Sequence, residues 1–216
     1  MIYCGIASLP DREENLKRVI ESLLPQVDKI FVGLNGYKEI PEFLIRDKIK
    51  AELLDNLLGD AAKFMYVEEC DGYYLSWDDD LITSPNSIEK LKRGVDKYNG
   101  VVGFHGRKYP VPVVDFKKWI GNYRCLNSVN FDVECNLIGS GATMFNTKSM
   151  KLKLSDFKKP NMADLYLSKT AYKQNIPMVV LAHNVGELKY LKPLTTIWRS
   201  TKDFSEHTKI LKSYLK

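Results

Sequence analysis

The chain is sparing with the features that would classify it at once. Its four cysteines, Cys4, Cys70, Cys125 and Cys135, are scattered over 216 residues. They have neither the C-x-x-C spacing of a zinc site nor the density of a disulfide-stapled secreted domain, and read as reduced thiols. No window approaches the roughly eighteen apolar residues that a membrane span needs. The opening Met1-Ile2-Tyr3-Cys4-Gly5-Ile6-Ala7 lacks a basic leader followed by a cleavable apolar core. A cytoplasmic protein is expected, with at most peripheral contact at the inner face of the membrane. Charge of one sign is also scarce, since 32 basic against 27 acidic residues leave a net +5. A solvated lysine-rich face explains that excess as well as an anionic ligand does, and nucleic acid is not implied as a partner. Internal repeats and low-complexity linkers are absent.

What is present is an ordinary globular composition, 44% hydrophobic and 27% charged, in a chain long enough for one α/β domain and short of two. A single domain over residues 1–216 is expected, with a nucleotide-binding half at 1–105. An acceptor-side half with a C-terminal helix follows at 106–216. Residues 2–8 form an apolar run, after which Leu16, Val19, Ile20, Leu23 and Leu24 recur at helical spacing. A second apolar run at 29–34 closes on Asn35-Gly36, and the spacing of Phe43, Leu44, Ile49, Leu53, Leu54 and Leu57 predicts a helix over 40–58. Strands are predicted at 64–67, 73–77, 101–104 and 177–181, and helices at 85–98, 162–174 and 204–215. An aromatic-rich irregular region fills 106–136 and leads into a strand by residue 145. Strands alternating with helices in this way predict a mixed, mostly parallel sheet covered on both faces.

The chemistry gathers where the 73–77 strand runs into Asp78-Asp79-Asp80. Alternation along a strand would let Asp78 and Asp80 converge while Asp79 points away. Paired carboxylates repel unless a proton or a hard divalent cation relieves them, and a diphosphate can complete the shell of Mg²⁺ or Mn²⁺. Open α/β sheets bind ligands beyond the carboxyl ends of their strands, which is where the triplet falls. Asp is also a turn and capping residue, and Thr83, Ser84 and Pro85 follow, so a purely structural role stays open. Ser8, Pro10 and Arg12 end the first strand and Asn35 the second. There a loop can touch a nucleobase, ribose or phosphate, or simply turn the chain. Gly139 and Gly141 would let backbone approach a ligand closely, or simply suit a tight strand entry.

Asp71-Gly72-Tyr73-Tyr74, Asp78-Asp79-Asp80-Leu81-Ile82, Val101 through Arg107, Gly139-Ser140-Gly141 and Met162-Ala163-Asp164 occur in the order of landmarks in bacterial glycosyltransferases of the A-type fold. The chain resembles those members of the large inverting superfamily that build capsules and other surface glycans, over roughly residues 2–190. The resemblance implies a nucleotide-diphospho-sugar transferase fold and a nucleoside-diphosphate sugar, with UDP-sugars favoured, as donor. It implies a glycan or lipid-linked glycan as acceptor. By the same resemblance Asp80 is the main metal ligand, Asp78 lies near the ribose or metal, and His183 is a further metal ligand or a loop residue. Asp79 lies among the donor-binding residues or serves as a structural cap.

Asp164 falls where inverting members carry the general base, although it also suits the first turn of a helix; the usual Glu-Asp pair reads Ala163-Asp164 here. His105, with Arg107 nearby, would line the donor-sugar or acceptor pocket. Trp198 and Arg199, before the terminal helix, would either pack in the ordinary way or form a lid over the donor. So short a chain leaves little room for an acceptor domain, so a homodimer or partner subunit would complete that side. Sugar nucleotidylyltransferases share the general fold but carry a glycine-rich, arginine-bearing loop after the first strand, which Leu9-Pro10-Asp11-Arg12 is not. A noncatalytic nucleotide-sugar or glycan-binding module is the alternative from another class.

Overall fold

The computed structural model describes residues 1–192 and 197–216, apart from the side chains of Trp198 and Arg199; the expected lid lies outside the described residues. Its elements run β1 (Ile2–Ser8), α1 (Glu13–Leu23), β2 (Lys29–Asn35), β3 (Ile49–Leu54), β4 (Tyr73–Asp78), β5 (Leu81–Thr83), α2 (Ser87–Tyr98), β6 (Val101–Gly103), β7 (Gly106–Lys108), β8 (Gly121–Tyr123), β9 (Val133–Glu134), β10 (Leu137–Ile138), β11 (Ala142–Asn146), α3 (Ala163–Lys173), β12 (Met178–Val180), β13 (Leu188–Tyr190), α4 (Ile197–Ser200) and α5 (Ser205–Lys212). An eight-stranded sheet in the order β3-β2-β1-β4-β11-β6-β12-β9 forms the centre. It is parallel from β3 through β4 and again between β6 and β12. The entry of β11 between β4 and β6 makes it antiparallel there, and β9 joins antiparallel at the edge. The sheet is thus mixed, with its parallel part carrying the first half of the chain, as expected.

Both faces are covered, which is why β1, β2 and β4 read as continuous apolar runs. On one face α1 lays down Leu16, Val19, Ile20 and Leu23, all fully buried. Each contributes about 1.5–3 kcal/mol by leaving water. They meet Ile6, Leu75, Trp77 and, from α2, Leu91 and Val95. On the opposite face Phe64, Tyr74, Phe145 and Val180 pack with Leu167 and Ala171 of α3. A third cluster seats α5, through Ile210 and Leu211, and Tyr214 just beyond it, on α3 and on Tyr109 and Phe116. Among the described residues no helix is long and apolar enough to cross a membrane.

Two predicted elements differ. The helix expected over 40–58 is instead a short 3-10 turn at Glu42–Leu44 followed by edge strand β3. There the true period is two. Ile49 and Ala51 face the α1 side, whereas Lys50 and Glu52 face Tyr66 on the other. Tertiary pairing with β2 overrides leucine spacing that also fits a helix. The strand expected at 64–67 is the join of two 3-10 turns, Gly59–Phe64 and Val67–Glu69, laid over the sheet. Its apolar run is buried by packing on the sheet face instead of by strand pairing. The first of these turns sits so close to β1 that a Cβ on Gly5 would lie 1.8 Å from the Lys63 carbonyl oxygen. Tyr74 donates its hydroxyl to that same oxygen at 2.7 Å, which fixes the Lys63 backbone against the face of the sheet.

The irregular region 106–136 contains β7, β8 and β9, and the expected strand approaching residue 145 divides at Gly139-Ser140-Gly141 into β10 and β11. β10, β7 and β8 form a separate three-stranded sheet. β5 and β13 pair as a two-stranded ribbon just beyond the aspartate triplet.

Candidate active site

The carboxyl ends of β1, β2 and β4 meet at one edge of the sheet, and there the aspartates are held by backbone from several sides. β4 ends at Asp78, whose amide donates to Gly141 O at 2.8 Å. Asp79 and Asp80 then form a turn, which Trp77 closes by donating Nε1 to Leu81 O at 2.7 Å. Leu191 beyond β13 donates its amide to Asp80 O at 2.8 Å. The strand alternation expected to bring Asp78 and Asp80 together therefore stops one residue in. The corrected reason for their proximity is this turn.

The three carboxylates have different surroundings. Asp79 does not point away: it is the most buried of the three, at 2% exposure. Arg12 Nη1 reaches its Oδ1 at 2.7 Å, and Ser8 donates Oγ to its Oδ2 at 2.7 Å. Burial pushes the Asp79 carboxyl above its ordinary range, while Arg12 and Ser8 pull against that. Ser8 and Arg12 are thus directed inward onto Asp79, and the same Arg12 nitrogen lies 3.6 Å from Asp80 Oδ2. Asp80 is also buried. Its carboxyl is pushed up to about 7, first by burial and then by the charges of Asp78 and Asp79. Asp78 is more open, its side chain 42% exposed, and accepts from Lys63 Nζ at 2.5 Å. Its Oδ2 lies against Gly141, where a Cβ would stand only 2.0 Å away. Glycine at 141 therefore has a definite cause, the close approach of this carboxylate.

Lys63 and Asp60 are the members that sequence reasoning missed. Lys63 is buried at 4% exposure. Burial alone would lower the pKa of its ammonium, and Asp78 and Asp60 together more than reverse that. Asp60 accepts from the Ala163 amide at 3.1 Å through Oδ2, while its Oδ1 is buried without a partner. Burial, opposed chiefly by Lys63, raises the Asp60 carboxyl to about 6. A lysine and an aspartate set among Gly59, Ala61, Ala62 and Phe64 were the available signal, since charges in so apolar a stretch must be paired.

Asp164 stands in the first turn of α3, on the other side of this group. It accepts from both the amide and the Oγ of Ser140 at 2.7 Å, and both bonds fall on Oδ1. Its charge is felt at Lys63 and Asp60, so the carboxylate turn, the 59–64 turn and the start of α3 form one electrostatic cluster. His105 lies beside it, lowered to about 4 mainly by burial and then by Arg107, and is neutral at neutral pH. Gly139 packs on the His105 ring, and its amide donates to His105 O at 2.8 Å.

Asn35 is buried at the end of β2, donating Nδ2 to Gly59 O at 2.9 Å while its Oδ1 has no partner. Pro10 lies apart, lining with Tyr37 an open groove of about 930 Å³ between α1 and the segment after β2.

His183 is not brought into a metal set. It is buried, with Nδ1 at 2.7 Å from Leu181 O and Nε2 at 3.1 Å from Arg124 O, and its ring stands edge-on to Phe104. With both nitrogens facing main-chain carbonyls, it offers no ligand. Among the described residues no three His, Cys, Asp or Glu side chains are grouped to hold a metal, and the expected trio of Asp78, Asp80 and His183 is not assembled. The donor set nonetheless fits a cation shared with a phosphate ligand. Asp80 lies under repulsion that a cation would relieve, and Asp78 is half open. One or two carboxylates plus phosphate oxygens are what Mg²⁺ commonly takes.

No family model matches the chain, and neither does any curated protein. Among solved structures it is similar to 4-diphosphocytidyl-2C-methyl-D-erythritol synthase from Anaerococcus prevotii. That likeness has a TM-score of 0.54 and 13% identity, and covers 100% of this chain and 98% of that one. It is a likeness of fold: an α/β fold of the nucleotide-diphospho-sugar transferase kind, with a large central sheet flanked by helices.

Proposed function

We propose that the chain is a glycosyltransferase, moving a sugar from a nucleoside-diphosphate donor, by preference a UDP-sugar, to a hydroxyl of a glycan or lipid-linked glycan in the building of a surface polysaccharide. The observation that carries this reading is the pair of unequal carboxylates at the end of β4, half-open Asp78 and crowded Asp80, in one electrostatic cluster with Asp164. Mg²⁺ or Mn²⁺ would be held by the carboxylates of Asp80 and Asp78 together with donor phosphate oxygens. Bound there it would neutralise charge gathering on the departing diphosphate. Lys63 supplies a fixed positive charge at the same end. Asn35, buried at the end of β2, holds the 59–64 turn that carries Lys63 through its bond to Gly59 O. Asp164 takes the acceptor's hydroxyl proton as that oxygen bonds to the anomeric carbon and the bond from this carbon to the diphosphate breaks. Attack opposite the leaving group inverts the anomeric centre. The Ser140 bonds hold the carboxylate in place for that transfer.

Nucleotidyl transfer is the second reading, favoured by the product that the solved neighbour's name describes. Against it, the turn after β1 has no glycine, and its Arg12 is directed onto Asp79. The two differ in what they release. With Mn²⁺, a panel of UDP-, GDP- and TDP-sugars, and simple glycosides or water to receive the sugar, nucleoside diphosphate is expected to appear from one donor, and Asp80→Asn should abolish its release. Pyrophosphate released from a nucleoside triphosphate, with no diphosphate from any sugar donor, would select nucleotidyl transfer. Donor binding without release of either product would leave a noncatalytic module.

A further inference from the structure

Away from the aspartates, a cavity of about 240 Å³ opens where the chain leaves β8 and returns at β9. Its lining is unusual for this protein. Asn122, Asn127, Ser128 and Asn130 bring amides and a hydroxyl, Tyr123 and Phe131 bring rings, and no carboxylate takes part. Phe131 is 70% exposed although it is a large apolar side chain, and Asn122 Oδ1 is buried without a partner. The wall is built beforehand. Val129 and His183 exchange both backbone bonds at 2.8 and 2.9 Å, Asn127 N donates to Arg124 O at 3.0 Å, and Ala182 N donates to Asp132 Oδ1 at 2.8 Å.

This chemistry selects a class of ligand. Amides carry a donor and an acceptor together, which suits the adjacent hydroxyls of a sugar ring. An exposed aromatic face suits the ring's apolar C–H face. A nucleic acid would call for several cations, and Arg124 alone lines the cavity; a lipid tail would call for a continuous apolar wall.

The cavity also adjoins the reaction centre through the chain itself. Tyr123 pairs with Gly106, next to His105, and the charge of Arg124 is felt at His105. The following residue, Cys125, lies where Asp78 and Asp80 act on it, although burial does most to push its thiol up to about 12.

We infer that this cavity is the acceptor subsite and that it seats one neutral pyranose, ring face on Phe131 and hydroxyls on Asn122, Asn127 and Asn130. The inference rests on the glycosyltransferase reading for its place in the reaction, but not for the binding itself. The test is saturation-transfer NMR of the whole protein with methyl glycosides of glucose, galactose, mannose, N-acetylglucosamine and rhamnose, alongside a separate titration with UDP and Mn²⁺. At least one glycoside should bind at millimolar strength. Phe131→Ala, at a site exposed enough to leave folding alone, should weaken it roughly tenfold, and Asn127→Ala should weaken it as well. Neither change should move the nucleotide titration. The inference is overturned if no glycoside binds, or if both variants bind as the wild type does. Sugar binding that depends on Phe131, in a protein with no affinity for nucleotide, would instead sink the transferase reading and leave the saccharide site standing.

Discussion

Arg12→Ala is expected to lower the stability of the chain by about 3–5 kcal/mol at neutral pH, the usual cost of leaving one partner of a buried ion pair behind. Asp79 would keep only the Ser8 hydroxyl on a carboxylate that has almost no contact with water. The pH dependence distinguishes this from simple loss of packing. Burial already raises the Asp79 carboxyl, and removing Arg12 raises it further. A carboxyl raised in the folded state costs least to bury when protonated. Its penalty is therefore small below the ordinary value of 3.8 and grows as pH rises through the folded value. Urea unfolding of the variant and the wild type at pH 7.5 and pH 4 should show a gap that narrows sharply in acid. An equal gap at both would mean that Arg12 acts through packing alone. Arg12→Lys should fall between, since a lysine keeps the charge but loses the fixed donor fork of the guanidinium and its greater ease of burial.

Asp164→Asn is expected to reduce turnover roughly a hundred- to ten-thousandfold, the range that a general base contributes. Nucleotide and metal binding should be unchanged. Asparagine retains an oxygen to accept from Ser140, so the local fold of α3 is kept while the proton acceptor is lost. A variant that turned over normally would remove Asp164 from the chemistry and return it to the helix-initiating role that its position also suits.

The parts of the protein legible in its sequence are those where burial alone decides the local structure. β1, β2 and β4 are apolar because both faces are covered, and α1 and α2 show their buried stripe at helical spacing. At an edge this logic weakens. β3 has one neighbour and half-exposed faces, so Leu53, Leu54 and Leu57 fitted a helix as well as a strand. Within the site, the aspartates were visible as a group, but their division of labour was not. Whether Asp79 faces water or Arg12 depends on how a turn closes after Trp77, which residue spacing does not encode. Lys63 escaped for a related reason. It is brought to Asp78 by a 3-10 turn that packs on Gly5, a contact between segments nearly sixty residues apart. His183 shows the reverse error: a residue type suited to metal, placed near a strand end, is taken up by two backbone carbonyls.

The most direct measurement is a thermal-shift titration of the wild type and Asp80→Asn with UDP, GDP, CMP and TDP, each with and without Mn²⁺. A ligand that binds only the folded state raises the melting temperature, by the equivalent of about 2.7 kcal/mol at a hundred times its Kd. The account predicts a rise with one nucleotide, UDP by preference, that requires Mn²⁺ and disappears in Asp80→Asn. No rise with any of them, or a rise that needs neither the metal nor Asp80, would contradict the placement of a nucleotide-sugar site at the end of β4.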